Sequence, residues 1–345
     1  MNLFIEKIKN QVYKHLILIL GTILLFIITI LSWYADLPFL ANVIFLCILY
    51  SIMGMAWNLL TGYGGQFSLG HSIFFGVGAY TTGVLLARYG ITPWLGIFVG
   101  AFLAGLNGLA LGVPFFRLKS HWFTLATIAA STIYMLTFTV WDYVGGSVGL
   151  NLPIVPKELA FYYMYYQGPY FYALLALVIL IIEIIILNMI VKSKIGIYLT
   201  AIRDEEEAAK HIGINPFKYK MIAMFISALF TGISGGLYAV RFGILEPFAV
   251  YDIITVSVYI SITGILGGIY NFYGPIVGAF IFMPITEYVR TNIVVRYPMY
   301  YGLHVMVVGI ILIFISLVMP EGVLGWLEKK GILRKETIIA APEGD

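Results

Sequence analysis

The sequence predicts an all-α, polytopic integral membrane protein, and its composition and its long apolar runs carry that prediction. Of the 345 residues, 61% are hydrophobic and 11% are charged, and the mean hydropathy is +0.96. A soluble domain carries roughly 25% charged residues. Lipid is therefore the solvent for most of this chain, and residues 1–345 are expected to form a single transmembrane domain.

Apolar runs long enough to cross a bilayer follow one another along the chain, since a spanning helix needs roughly 20 residues. We expect about ten crossings. The stretch from Thr61 to Gly78 is broken by glycines, so it is expected to be re-entrant or unwound. The ten runs cover residues 16–34, 38–60, 66–87, 93–115, 121–141, 170–191, 220–243, 252–270, 273–294 and 299–319.

Lys and Arg are distributed unevenly between the two sides of these crossings. With both termini in the cytoplasm, fifteen of the twenty lie in cytoplasmic segments, as the positive-inside rule requires. Residues 331–345 are expected to form a loose, solvated tail. The fifteen are Lys7, Lys9, Lys14, Arg117, Lys119, Lys192, Lys194, Arg203, Lys210, Lys218, Lys220, Lys329, Lys330, Arg334 and Lys335.

A cytoplasmic loop at 192–220 carries enough charge to sustain a soluble helix. Asp204 is expected to cap the start of that helix, because a carboxylate can accept hydrogen bonds from the first backbone N–H groups. Glu205–Glu207 would then fill the first turn, where the helix dipole favours anions, and Lys210 and His211 the last.

The end of this short helix is also marked in the sequence. Gly213 supplies a stop signal, and Asn215-Pro216 turns the chain back toward the bilayer. Two interpretations remain open: a solvated connector, or a coupling helix that docks in a groove of an ATPase subunit. The residues that give the helix a small apolar side are Ala201, Ala208, Ala209 and Ile212.

Five stretches of the chain resemble the branched-chain amino-acid permeases of the ABC importer class. The clearest is Ala201-Ile202-Arg203-Asp204-Glu205-Glu206-Glu207-Ala208-Ala209, which is similar to the family's cytoplasmic signature. Their order and spacing extend the resemblance over about residues 50–326, closest to the LivM-like member of the permease pair. The other four stretches are 58–71, 145–150, 267–279 and 320–325.

The resemblance implies a ten-helix importer subunit in a prokaryotic inner or plasma membrane. It also implies a second related permease, two cytoplasmic ATPases and an external substrate-binding protein as partners, with no nucleic acid. ATP and Mg would be bound by the ATPases, because this chain has no Gly-x-x-x-x-Gly-Lys-Ser/Thr loop. The residues expected to couple to the ATPase are Arg203, Asp204, Glu205, Glu206, Glu207, Ala208, Ala209 and Gly213.

The implied cargo is a branched-chain amino acid: leucine, isoleucine or valine. The family usually continues after Arg117-Leu118-Lys119 with a Gly-acid pair and a later glutamate, whereas this chain has Ser120-His121-Trp122-Phe123. That departure weakens the transfer of substrate identity. Urea, a short amide or another amino acid is therefore the alternative.

Polar residues inside apolar runs are candidates for a translocation pathway, since burying them in hydrocarbon is costly. Unwound backbone at 62–70 could bind the two ends of a zwitterion, and close helix packing is the alternative explanation. Glu183 lies alone in the run 170–191, where it could instead fix helix packing. The candidate pathway residues are Asn58, Gln66, Ser68, His71 and Glu183.

Two other classes of protein compete with the importer. An ion-coupled secondary transporter would also have broken helices, but it would leave the charged loop without a purpose. A membrane-embedded enzyme would need a metal cluster or an activated nucleophile. The histidines are too scattered for either, so no catalytic residue and no metal site are expected; they are His15, His71, His121, His211 and His304.

Overall fold

The computed structural model describes residues 26–294 except 119, 154 and 167, together with residues 306, 309–310, 313, 317–319 and 321–330. Most of the first and tenth predicted crossings, and the predicted tail at 331–345, lie outside the described residues. Within the described residues most of the chain is helical. The prediction of an all-α fold is confirmed.

Eleven of the helices in the described residues form the bundle and position the candidate site. They are α1 Pro38–Asn58, α2 His71–Tyr89, α3 Pro93–Phe115, α4 Ser120–Val140, α5 Tyr170–Lys192, α6 Lys194–Asp204, α7 Glu206–His211, α8 Pro216–Phe242, α9 Tyr259–Gly267, α10 Gly274–Val289 and α11 Gly322–Lys329. Three stretches of π-helix continue or precede them: Leu59–Tyr63 after α1, Ile253–Val258 before α9 and Arg290–Val294 after α10.

Six helical stretches in the described part are long and apolar enough to cross a membrane. The figure of ten crossings stays a prediction, because most of two predicted spans is not described and α10 has only 16 residues. The six stretches are Pro38–Tyr63, Pro93–Phe115, His121–Val140, Tyr170–Lys192, Pro216–Phe242 and Pro247–Gly267.

Proline and glycine set the ends of the central helices. Helices α1, α3 and α8 each have proline at their first positions, where its missing N–H costs nothing. Helix α8 ends at Gly243, which has a left-handed φ of 73°. Only glycine adopts that conformation without strain. Helix boundaries in this protein are therefore largely written in the local sequence.

The core is a tight crossing of α8 with α2 and α3. A Cβ atom on Gly78 would lie 2.1 Å from the carbonyl oxygen of Gly232, and one on Gly100 would lie 2.7 Å from the oxygen of Gly78. Small residues allow this approach in lipid, where no hydrophobic force draws helices together. The glycines at this crossing therefore serve close helix packing.

Contacts between loops define two ends of the bundle. At one end, Tyr170 donates a hydrogen bond to Asp36, and Leu150–Asn151 pairs with Ile244–Leu245 in a two-stranded antiparallel ladder. These strands have only two residues each, too few for a periodic pattern to reveal. The ladder lies at the end that the charge distribution places outside the cell.

The other end gathers the segments that the charge distribution places in the cytoplasm. Arg203 donates to the carbonyl of Gly62, Asn58 donates to the carbonyl of Asn271, and the side chain of Asn271 donates to Glu328 in α11. The charged loop, the end of α1, the turn at 268–273 and α11 therefore lie together.

The sides of the outermost helices expose apolar side chains. Only 22% of the apolar window of α4 is buried, against 83% for the stretch that contains α1. A polytopic membrane protein covers such surfaces with lipid or with other membrane subunits. The exposed residues of α4 include Leu125, Ile133, Leu136 and Val140.

Candidate functional site

The charged loop forms two helices instead of one. Helix α6 begins at Ser193, whose hydroxyl accepts a hydrogen bond from the N–H of Ile195, and it ends at Asp204. Glu205 is extended, with φ −156° and ψ 103°. It occupies the N-cap position of α7 without a side-chain capping bond.

The prediction that Asp204 caps the functional helix is wrong. Asp204 is the last residue of α6, and its carboxylate binds the guanidinium of Arg203 at 2.7 Å. The reason is that Gly196, Leu199 and Ile202 are buried at helical spacing, so that the segment before Asp204 forms an amphipathic helix. The predicted first turn also loses Glu205 and keeps Glu206–Glu207.

The end of α7 falls where the sequence places it. The N–H of Gly213 donates to the carbonyl of Lys210, and the N–H of Ile214 donates to the carbonyl of Ala209, each at 3.0 Å. Gly213 has a φ of 87°. This pair of bonds around a left-handed glycine is a Schellman motif. Asn215 then caps α8 by accepting from the N–H of Lys218 at 3.2 Å.

One side of α7 is fixed to α8. The carboxylate of Glu206 binds the ammonium of Lys220 at 2.6 Å, and the Lys220 side chain is only 5% exposed. Ala209 is buried next to this pair along the helix. Burial opposes ionisation of Glu206, but the hydrogen bond and charge of Lys220, with Lys210 nearby, lower the pKa of its carboxyl. The carboxyl of Glu206 is therefore ionised at neutral pH.

The opposite side of α7 faces away from the protein. Ala208, His211 and Gly213 are exposed, and Ile212 is 75% exposed. A Cβ atom on Gly213 would meet nothing within 4 Å. Helix α7 therefore projects as a compact knob with a small, partly apolar tip.

Two open grooves flank the knob. One, of about 470 Å³, lies between the knob, the start of α8 and the end of α3. The other, of about 340 Å³, lies on the side of α6. Among their lining residues are Phe116, Glu206, Phe217 and Lys220 in the first, and Tyr198, Ile212 and Tyr219 in the second.

Beneath the loop, the chain between α1 and α2 is unwound over only part of the break predicted at 61–78, since residues 61–63 are π-helical and residues 71–78 belong to α2. Gly76 and Gly78 pack closely against neighbouring segments within α2 and do not break it. After the π-helix Leu59–Tyr63, residues 65–70 form no helix. Side chains of neighbouring helices bind the released backbone groups: Thr124 donates to the carbonyl of Phe67, and Trp57 donates to the carbonyl of Ser68 at 2.8 Å. Non-helical backbone at this depth is tolerated because it is buried in protein.

Four of the predicted pathway residues lie in this unwound segment or at the helix ends beside it, and all four are buried. The hydroxyl of Ser68 accepts from the N–H of Gly70 at 3.3 Å. Nε2 of His71 and the hydroxyl of Ser227 lie 2.8 Å apart in a hydrogen bond. Asn58 lies at the inner end, where its amide donates to the carbonyl of Asn271. The four residues are Asn58, Gln66, Ser68 and His71.

A second broken helix meets the first. The N–H of Ser72 donates to the hydroxyl of Ser257 at 2.9 Å, and Ser257 lies in the π-helix Ile253–Val258. Neither Ser257 nor Ser227 is among the pathway residues that the sequence predicts. No glycine or proline within 253–258 signals the π-helix, and both contacts join distant parts of the chain.

Spare polar atoms remain at this meeting point. Among the described residues, neither Nδ1 of His71 nor the hydroxyl of Ser72 has a hydrogen-bond partner, although both side chains are buried. Buried polar groups are usually paired. These two atoms are therefore available to a further group.

Glu183 lies elsewhere, on the buried side of α5. It is fully buried, and both of its carboxylate oxygens are without a hydrogen-bond partner in the part of the chain that the structure describes. Burying such a group as an anion is costly. The structure does not join Glu183 by any hydrogen bond or ion pair to the group around His71 within these residues.

A bundle of apolar helices with two broken helices at its core and a rigid charged knob at one end defines a polytopic membrane transport protein. Residues 39–316 match the family model described as branched-chain amino acid transport system / permease component. The chain belongs to that family, and the resemblance drawn from the sequence is confirmed. No solved structure matches the chain.

The proteins that this chain is similar to carry names that point to more than one cargo. The chain is 25% identical over 296 residues to the high-affinity branched-chain amino acid transport system permease protein LivM of Escherichia coli (strain K12), covering 77% of this chain and 68% of the relative. The LivM of Salmonella typhimurium is 25% identical over 267 residues, covering 70% of this chain and 61% of the relative. The nucleoside ABC transporter permease protein NupC of Lactococcus lactis subsp. cremoris (strain MG1363) is 23% identical over 234 residues, covering 64% of this chain and 72% of the relative.

Proposed function

We propose that the chain is the membrane-spanning permease subunit of an ABC importer and forms part of the translocation pathway for branched-chain amino acids. The observation that carries this proposal is the knob α7, which is fixed to α8 on one side and exposed on the other. Family membership and the names of the LivM relatives support it. ATP and Mg would be bound by partner subunits.

The knob has the properties that a mechanical contact with a moving partner requires. The Glu206–Lys220 pair and buried Ala209 prevent α7 from swinging independently of α8. The exposed tip is small, so it fits a groove of an ATPase subunit. Helix α8 has 27 residues and crosses α2 and α3 at the core, so displacement of the knob tilts α8 and shifts Ser227 relative to His71.

The partners follow from this role. We propose a second related permease across the membrane interface, two cytoplasmic ATPase subunits and an external substrate-binding protein. The complex lies in the inner or plasma membrane of a prokaryotic cell. This chain is a transport subunit without its own ATP-hydrolysing site, because it lacks a phosphate-binding loop sequence.

The pathway proposal rests on the meeting point of the two broken helices. Discontinuous helices expose backbone and side-chain polar groups that suit the charged ends of a zwitterion. Asn58, Gln66, Ser68 and His71 follow one another from the inner end toward the core. Nδ1 of His71 and the hydroxyl of Ser72, which have no hydrogen-bond partner among the described residues, supply binding capacity. Glu183 on α5 is a separate candidate for lining the pathway.

Uptake by a reconstituted complex tests the proposed function. The chain would be placed in proteoliposomes with its partner subunits and supplied with radiolabelled leucine, isoleucine, valine, urea and uridine. We expect leucine, isoleucine or valine to accumulate only with ATP on the ATPase side. Uridine tests the cargo named for the Lactococcus relative. Accumulation by the chain alone, driven by an ion gradient and abolished by an ionophore, would instead establish a secondary transporter.

A further inference from the structure

One arginine joins the charged loop to the inner end of α1 and to the turn before α10. Nη1 of Arg203 donates to the carbonyl oxygen of Gly62 at 3.0 Å. Its guanidinium carbon lies 5.1 Å from the ring centroid of Tyr270, and Nε binds the carboxylate of Asp204 at 2.9 Å. The side chain is 24% exposed. A single residue thus joins its own helix α6 to two other segments.

The broken end of α1 makes the first contact possible. A helix end leaves backbone carbonyls without helical partners, and a cation is favoured there by the helix dipole. Gly65 has a φ of 68°, and a Cβ atom on it would lie 3.1 Å from the Cα of Arg203. The backbone after α1 therefore packs directly against α6, which fixes the distance that the arginine spans.

The contact continues into neighbouring segments. A Cβ atom on Gly62 would lie 2.2 Å from the carbonyl oxygen of Ile269, and Asn58 donates to the carbonyl of Asn271 at 3.1 Å. We call the group Arg203, Gly62, Asn58, Tyr270 and Asn271 the inner joint. Through Asn271, which donates to Glu328 at 3.2 Å, the inner joint also contacts α11.

We propose that Arg203 is a positioning residue that transmits movement of the charged loop to the inner ends of α1 and α10, and so controls opening of the inner mouth. This inference rests on the proposed function. Movement of the loop then reaches the membrane helices by two routes: the Glu206–Lys220 pair moves α8, and Arg203 moves the inner joint. One extended residue, Glu205, separates the two helices of the loop. The route through Arg203 therefore depends on the contacts that α6 makes.

If Arg203 has this role, replacing it should reduce transport without reducing ATP hydrolysis. Arg203→Met keeps the length and apolar contacts of the side chain but loses the donor to Gly62 and the cation above Tyr270. The knob and its anchor to α8 remain, so the ATPase partners still assemble and hydrolyse ATP. We expect ATP hydrolysis within twofold of wild type and substrate transported per ATP reduced at least tenfold.

Two milder variants test the geometry. Arg203→Lys keeps the charge but not the planar fork of donors, so we expect a partial recovery relative to Arg203→Met. Tyr270→Leu removes the ring alone and is expected to lower transport per ATP about threefold. Arg117→Met is the matched control, because Arg117 is an exposed arginine in the segment after α3 at the same end. It should behave as wild type.

The experiment uses the full complex in proteoliposomes, with uptake and ATP hydrolysis measured on the same preparation. If Arg203→Met transports substrate at the wild-type rate, with unchanged transport per ATP hydrolysed, the inference is overturned and the proposed function stays intact. Loss of ATPase assembly in Arg203→Lys and Tyr270→Leu would also overturn it, by showing a purely structural role. If Arg203→Met does not insert, the other two variants decide. Absence of ATP-driven uptake in wild type would contradict the proposed function itself.

Discussion

The ammonium of Lys220 lies 2.6 Å from the carboxylate of Glu206, and it is nearly buried while its partner is 40% exposed. The pair joins the exposed knob α7 to the long central helix α8. Removing the carboxylate leaves a buried cation without its anion, which costs about 1–3 kcal/mol. The same change frees the knob from the helix that it is proposed to move.

Glu206→Lys is therefore expected to abolish both transport and stimulation of the ATPase while the chain still inserts into the membrane. Like charges would then face each other at the base of the knob. The charge-reversed double variant, Glu206→Lys with Lys220→Glu, should recover part of the activity. Uptake and ATP hydrolysis in proteoliposomes measure both effects. Normal transport in the single variant would contradict the coupling role of α7.

The same pair predicts a pH dependence of stability. An unfolded glutamate has a pKa of about 4.3, and the folded pKa of Glu206 lies lower. The contribution to stability is therefore fully present above about pH 5 and is lost as pH falls through the folded pKa. We expect the difference in Tm between wild type and Glu206→Gln to be constant from neutral pH to about 5 and to shrink below about 4. A difference that grows in acid would contradict this assignment.

Gly213 gives a test of the knob's geometry that does not involve charge. Its φ of 87° cannot be adopted by proline, which fixes φ near −65°. Gly213→Pro is expected to abolish coupling, whereas Gly213→Asn should be tolerated because asparagine adopts left-handed conformations. Co-purification with the ATPase partner measures the effect. Equal recovery of the partner by both variants would show that the shape of this turn does not matter.

The sequence predicts most helix limits because the bilayer and the turn residues both constrain them. The predicted spans 93–115 and 170–191 match Pro93–Phe115 and Tyr170–Lys192 to within one residue. Proline at the first position of a helix and glycine at its end give local signals that do not depend on tertiary contacts. Gly213 marks the end of α7 by the same kind of local signal.

The features that could not be predicted from the sequence depend on contacts between distant residues. Asp204 looks like a capping residue, but α6 continues through it, since Leu199 and Ile202 are buried against the bundle. Ser227 becomes part of the candidate site only through its hydrogen bond with His71, 156 residues away in sequence. Ser257 lies in a π-helix that no glycine or proline marks. Tertiary packing decides each of these cases.

A Ser72 variant distinguishes substrate binding from helix packing as the role of the meeting point of the broken helices. Its buried hydroxyl has no partner among the described residues, so Ser72→Ala removes no observed hydrogen bond and should not lower the Tm. If the hydroxyl binds substrate, uptake should fall about tenfold, equivalent to roughly 1.4 kcal/mol. Ser51→Ala is the control, because the Ser51 hydroxyl is buried but donates within its own helix. Unchanged uptake in Ser72→Ala would favour close packing as the role of this segment.

Glu183 distinguishes an ATP-driven from an ion-driven mechanism. Glu183→Gln preserves the size and hydrogen-bonding capacity of the side chain and removes only its ability to ionise. Because a carboxyl group that is buried with no partner among the described residues is costly as an anion, we expect ATP-driven uptake to stay within twofold in this variant. Glu183→Leu removes the polar group altogether and should reduce uptake severalfold if α5 lines the pathway. Loss of uptake in Glu183→Gln, together with a dependence of wild-type uptake on a proton gradient, would show that a proton is carried at this carboxyl and would favour the secondary transporter.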